Sequence, residues 1–289
     1  MKMKAAIEKI MSSFFFLCGA TTIIAVAAIS IYMIISGIPA IIEIGVKEFL
    51  LGEVWKSTAA EPKFGIFPFI LTSVFGTLGA ILLGVPIGLM TAVFLSKLAN
   101  EKIAASFRPT VELLAGIPSV VYGLIGMIVL VPAIMNIFGL KNGTCLLAAI
   151  LVLAIMILPS IISVSETALH AVPKEYEEAS YALGATKMET IFKVSIPSAK
   201  SGIVAGVVLG IGRAIGEAMA VMMVAGNVAN MPELFKSVTF LTTAITKEMA
   251  YASGLQREAL FGIALVLFLF IMVINGILNV LLKRGSDHK

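Results

Sequence analysis

Four charged residues stand inside or at the edges of long apolar runs: Glu112, Glu166, Arg213 and Glu217. Glu112 and Glu166 fall near run ends, where a side chain reaches a membrane–water interface, and they are read as interfacial. Arg213 and Glu217 lie deeper, with 12 uncharged residues before the arginine and 15 after the glutamate. An arginine at the centre of a bilayer costs about 2.5–3.5 kcal/mol on an insertion scale, so it needs a wet or paired setting. In Arg213-Ala214-Ile215-Gly216-Glu217 the two charges are four apart, which places them on one face of a helix. Two uses fit that arrangement. One is a structural ion pair; the other, the working reading, is a cation lining an anion path, with Glu217 holding it in place and partly neutralising it.

A second chemistry lies in the polar segment between two apolar runs. Val172, Tyr176, Ala179 and Leu183 recur at helical spacing and form an apolar face, with Glu175, Glu177 and Glu178 largely off it. Pro173 suits the first turn of such a helix and Gly184 its C-terminal cap. Amphipathic helices that lie on membranes are usually rich in Lys and Arg. This one is acidic, so its apolar face reads as a contact for another protein.

The third element is a break. Leu114-Ala115-Gly116-Ile117-Pro118-Ser119 puts a glycine and a proline in the first third of an apolar run. Proline removes a backbone donor and clashes with the preceding turn. In a membrane such a break is tolerated where the freed groups are buried in protein or face a water-filled cavity. Both a packing kink and a pathway element fit.

Other chemistries lack their residues. The sole aspartate is Asp287 and the two histidines are His170 and His288, all outside the runs. No intramembrane aspartate pair, zinc site or Ser-His pair is therefore expected. There is no Gly-Lys dipeptide, hence no G-x-x-x-x-G-K-[ST] phosphate loop. The chain is expected to bind no cofactor and to hydrolyse no ATP itself. Cys18 and Cys145 have no metal spacing; two buried thiols or a disulfide both fit.

These residues must be positioned by membrane helices. The 289 residues are 59% hydrophobic and 13% charged, whereas a soluble domain carries roughly 25% charged residues. A soluble shell cannot be built from this composition. The +4 net charge is dispersed between apolar runs rather than gathered on one surface, which argues against a nucleic-acid partner. Uncharged stretches of 33, 33, 28, 24 and 24 residues follow Lys9, Lys63, Glu112, Lys141 and Glu258. One crossing needs about 20 apolar residues. With the Arg213 run, six helices are expected, near 12–36, 68–96, 109–136, 145–165, 201–227 and 259–282, an all-α polytopic bundle. Ser12 to Ile35 exceeds the roughly 7–15 residues of a signal h-region, so it reads as a retained anchor.

Thirteen Lys and Arg fall on the side of the termini and of the loops 97–108 and 166–200, against seven on the other side. The positive-inside rule then places both termini in the cytoplasm of a plasma (inner) membrane protein. Segments 37–67, 137–144 and 228–258 face outward. The expected organisation is an anchor and outer segment over 1–67, a transmembrane domain over 68–282 and a tail over 283–289. Small residues at four-residue spacing (Thr72, Gly76, Ala80, Gly84, Gly88; Gly202, Gly206, Gly210; Gly212, Gly216) allow close helix packing, or sliding in a gated bundle.

Glu178-Ala179-Ser180, then Gly184, then Val194-Ser195-Ile196-Pro197, resembles the EAA loop of ABC-importer membrane subunits. Ser180 replaces the second Ala of that pattern. Phe64-Gly65-Ile66-Phe67-Pro68-Phe69-Ile70, Leu113 to Gly123 and Gly210 to Val221 are similar to the permease subunits of ABC phosphate importers, the C-type subunit in particular. That resemblance covers the chain from about residue 60 onward. It implies a type I importer permease fold, with a loop that docks on a cytoplasmic ATPase through Tyr176, Glu178, Ala179, Ser180, Leu183 and Gly184. It also implies a heterodimer with an A-type permease subunit, two ATPase subunits that use the ATP, and an extracytoplasmic phosphate-binding protein. The pathway would carry Arg213, Glu217, Gly116, Pro118 and Ser119. A permease for another oxyanion, such as molybdate or sulfate, is the nearest alternative. An ion-coupled secondary transporter using Glu217 leaves the amphipathic loop without a role.

Overall fold

The computed structural model describes residues 2–286, helical for most of that length. The chain opens with α1 (Lys2–Ile44) and α2 (Val46–Leu51), followed by a short antiparallel ladder of β1 (Trp55–Lys56) with β2 (Lys63–Phe64). Next come α3 (Phe67–Val93), extended by a π-helical turn at Phe94–Leu98, and α4 (Glu101–Gly116). The segments α5 (Ser119–Ile125) and α6 (Val131–Phe138) flank a second π turn at Gly126–Leu130. Then follow α7 (Leu146–His170), α8 (Lys174–Ala182) and α9 (Lys187–Thr190). A third π turn, Ile191–Ser195, leads into α10 (Ile196–Ser198) and α11 (Lys200–Gly216). The chain continues through α12 (Met219–Val224), α13 (Leu241–Glu248) and α14 (Gly254–Ser286). Of the expected tail, residues 287–289 lie outside the described residues.

Five segments are long and apolar enough to cross a membrane: Ile10–Ile44, Phe67–Leu98, Ser119–Phe138, Leu146–His170 and Gly254–Ile277. A sixth follows if Lys187–Ser198 and Lys200–Gly216, bent by 70°, are one span. The all-α bundle is as expected, but two spans differ from their expected bounds. The third starts at Ser119, after the break rather than around it. Glu101, Lys102, Arg108 and Glu112 make α4 too polar to belong to it. Pro118 also pushes the preceding Ile117 into extended backbone. The helix expected over 201–227 stops at Gly216, because Glu217 is extended and α12 starts afresh at Met219.

The bundle is built around α7. It is apolar on nearly every face, the pattern of a helix with neighbours on all sides. Both ladders of small residues close on it. A Cβ at Gly84 would meet the Ile157 side chain at 2.6 Å and the Ala154 carbonyl at 3.1 Å, and one at Gly88 would meet Ile161 at 2.9 Å. From the opposite side Gly202 abuts Ala168, and a Cβ at Gly210 would lie 3.1 Å from Ile161. Ile157 and Ile161 are thus gripped between α3 and α11. In lipid no hydrophobic drive pulls helices together, so close backbone approach supplies the packing energy. The second row behaves differently: Gly212 and Gly216 have nothing within 4 Å of where a Cβ would be.

On the side opposite α8, Phe49, Trp55, Phe64, Phe69, Leu241 and Leu260 form a separate core. Glu248 ties it together, accepting from Trp55 Nε1 at 3.0 Å, Ser57 Oγ at 2.9 Å and Gln256 Nε2 at 3.0 Å. The helix α1 leans on α14, where Gly37 meets the Phe261–Gly262 backbone and Tyr32 stacks edge-on against Phe261 at 5.3 Å. Most of its apolar length is exposed, Cys18 with it; only Cys145 is a buried thiol, and both are free.

The contrast between the two glycine rows is measurable. Gly84→Val overpacks against Ile157 and should cost about 1–3 kcal/mol, seen as a lower unfolding midpoint of the purified protein in detergent. Gly212→Ala should leave that midpoint unchanged.

Candidate functional site

The break before the third span follows from one missing donor. In an unbroken helix the Leu114 carbonyl would accept from the N–H of residue 118, and Pro118 has none. The Tyr122 hydroxyl, one turn further on, donates to that carbonyl instead at 2.6 Å. The Ile117 N–H also reaches it, at 3.3 Å. Tyr122 is buried, Ser119 half-buried and Pro118 exposed, while Gly116 borders open space.

The fifth span breaks by a related device. Glu217 leaves the helix and turns its carboxylate to the first turn of α12, where Oε1 accepts from the Ala220 N–H at 2.9 Å. Its own carbonyl accepts from Thr242 Oγ1 of α13 at 2.8 Å. The expected pairing of Glu217 with Arg213 on one helix face is therefore corrected: the helix ends between them, and among the described residues Arg213 forms no ion pair or hydrogen bond. It is half-buried on the Gly212–Gly216 side of α11.

The two breaks meet in space. Gly123, just past the first, abuts the backbone of Ala220, just past the second, at a distance only glycine permits: a Cβ there would sit 2.8 Å from Ala220 Cα. Of the five residues assigned to a path, Gly116, Pro118 and Ser119 cluster at one break, Glu217 forms the other, and Arg213 lies one turn before it. Among the described residues no three His, Cys, Asp or Glu side chains gather as a metal site requires.

The loop helix α8 is a separate candidate. It buries none of its residues. Tyr176, Glu178 and Ala179 are exposed, and Leu183 is 90% exposed at its end. Gly184 takes φ +86°, and the Gly184 and Ala185 N–H groups donate to Tyr181 and Ser180 at 2.9 and 3.2 Å. This is a Schellman stop, which needs a left-handed residue at that position. Thr186 then caps α9 through a reciprocal bond with Glu189. Ser180 faces inward, its hydroxyl 2.9 Å from that of buried Thr190.

Glu177 also faces inward, where Lys97 Nζ lies 2.6 Å and Ser195 Oγ 2.9 Å from its Oε1. Burial pushes this carboxyl up. Hydrogen bonds from Lys97 and Ser195, with the charges of Lys97 and Lys174, outweigh burial and hold it below the usual carboxylate range. The tie is thus intact at neutral pH and is lost only as acid protonates Glu177 in the folded protein.

Sequence reasoning missed Tyr122, Glu177 with Lys97, and the Arg108–Glu166 pair at 2.6 Å that joins α4 to α7. Tyr122 carried a signal, being one turn after the proline and two after the orphaned carbonyl. Glu166, expected to reach an interface from its helix end, is buried and paired with Arg108.

Broken spans packed at glycine contacts, with an exposed amphipathic helix on a connecting loop, define a polytopic membrane permease. Residues 84–286 match the family model of the binding-protein-dependent transport system inner membrane component, and the chain belongs to that family. It is 41% identical over 267 residues to YqgH of Bacillus subtilis, named a probable ABC transporter permease protein, covering 89% of this chain and 86% of that one. It is 35% identical over 239 residues to the phosphate transport system permease protein PstC of Pasteurella multocida, covering 76% and 74%. The fold is similar to that of the MetNI methionine ABC transporter in inward-facing form, with a TM-score of 0.56 at 21% identity, over 76% of this chain and 94% of that one. The protein is thus a membrane-embedded ABC importer permease, a component that works with a partner ATPase and a substrate-binding protein.

Removing the hydroxyl in Tyr122→Phe leaves the Leu114 carbonyl with only the longer bond from the Ile117 N–H. The expected loss is about 0.5–1.5 kcal/mol of stability, read from thermal unfolding in detergent, with Val120→Ala as a near-neutral control.

Proposed function

We propose that this chain is one permease subunit of an ATP-driven phosphate importer. It forms half of the translocation pathway and pairs with an A-type permease subunit. Two cytoplasmic ATPase subunits bind below, an extracytoplasmic phosphate-binding protein docks above, and both termini lie in the cytoplasm. Supporting the phosphate assignment are the likeness to proteins named for phosphate transport and the state of Arg213. This intramembrane guanidinium has no carboxylate partner among the described residues and borders the open Gly212–Gly216 row.

Phosphate is strongly hydrated, and stripping that water inside a membrane is costly unless fixed charge and donors replace it. The planar fork of Arg213 supplies both and matches phosphate oxygens better than a lysine would. Glu217 acts at one remove. By capping α12 it ends α11 at Gly216 and so sets where Arg213 stands. Gly116, Pro118 and Ser119 line the same route at the other break, and ATPase closure reaches the bundle through α8.

Uptake of labelled phosphate into vesicles carrying the intact complex tests this reading. Arg213→Gln should abolish uptake with little loss of assembled complex; uptake near wild type, or loss of the complex itself, would return Arg213 to a structural role. Unlabelled sulfate and molybdate should not compete, and competition by either would move the substrate to another oxyanion. Gly184→Leu places a side chain where φ is positive and should uncouple uptake from ATP hydrolysis while the protein still inserts.

A further inference from the structure

The helix that receives the ATPase fully buries none of its own residues, so apolar packing does little to fix its position. Two polar ties hold it. One, Ser180 to Thr190, is local and leads only into α9. The other joins three elements far apart in sequence: Glu177 Oε1 takes both Lys97 Nζ at 2.6 Å and Ser195 Oγ at 2.9 Å.

Each partner sits on a π-helical turn. Lys97 is on Phe94–Leu98, which ends the span beginning at Phe67, and Ser195 is on Ile191–Ser195, which precedes the 70° bend into α11. A π turn carries one residue beyond the α-helical repeat and is found mostly at functional positions. The contact is sheltered: the Lys97 and Glu177 side chains are 13% and 20% exposed, and Ser195 is fully buried. These two spans are also the ones whose glycines grip α7 from opposite sides.

We infer that Glu177 is a positioning residue for coupling, one carboxylate oxygen that pins α8 to the second and fifth spans together, so that displacement of α8 moves both along α7. This rests on the reading of α8 as the ATPase contact. The covalent route through Gly184 to α9 reaches only the fifth span; the Lys97 tie adds the second. Glu178, next in sequence, is exposed and free to meet the partner. The neighbouring carboxylates thus take opposite roles, one facing the ATPase and one facing the bundle.

The test uses the complete complex in proteoliposomes and measures phosphate transported per ATP hydrolysed. Glu177→Gln and Lys97→Gln should each lower that ratio roughly tenfold, within the range of coupling energies between protein sites, while ATP hydrolysis continues. The exchanged pair Lys97→Glu with Glu177→Lys should recover most of it, which a merely structural loss would not. A wild-type ratio in both single variants overturns the proposal. So does a loss of transport or of assembly that the exchange fails to restore. Cross-linking from Ala179→Cys to the ATPase separates this from the underlying reading. A cross-link with normal coupling in Glu177→Gln sinks only the pin. No cross-link in otherwise wild-type protein sinks the coupling-loop assignment, and the pin with it.

Discussion

A backbone carbonyl inside a membrane has no water to turn to, and each one left unpaired costs several kcal/mol. Both breaks in this bundle are shaped by that constraint. At Pro118 the vacated carbonyl of Leu114 takes the Tyr122 hydroxyl; at Glu217 the side chain caps the next helix while the carbonyl takes Thr242. Each break thus pairs a carbonyl that it frees, and the two pack on each other through Gly123 and Ala220.

Packing around α7 divides the glycines into two functional kinds. Gly84 and Gly88 on α3, with Gly202 and Gly210 on α11, are filled by Ile157, Ile161 and Ala168, and they fix the distance between helices. Gly212 and Gly216, one row over, face open space beside Arg213. A smooth, tightly packed axis with an open flank suits a bundle that must change the spacing of its spans without dissolving its core.

The loop helix reverses the usual logic of an amphipathic segment. Its apolar residues are exposed and one of its acids is sheltered, so burial and polarity are exchanged relative to a helix lying on its own protein. That exchange fits the proposed docking of a partner on the outer face. The inner face is held by charge-assisted hydrogen bonds, which are directional and shorter than neutral ones. Such bonds set orientation where apolar contact would allow sliding.

The sequence by itself determined the class of protein. Charge-free runs longer than a bilayer crossing allow nothing but membrane helices, and the spacing from Glu178 through Gly184 to Pro197 marked the loop. Gly184 was legible because a helix stop is a local matter of one backbone angle. Pairings were not legible. That Arg213 and Glu217 stand four apart suggested an ion pair, but whether a helix continues through Glu217 depends on Thr242, 25 residues on, and on α12 having a place to pack. Likewise Arg108 finds Glu166 across 58 residues, and Glu177 finds Lys97 across 80. Local spacing fixes what a single helix turn can reach. Which charges meet is decided by how the spans lie against α7, and that is a property of the packed bundle alone.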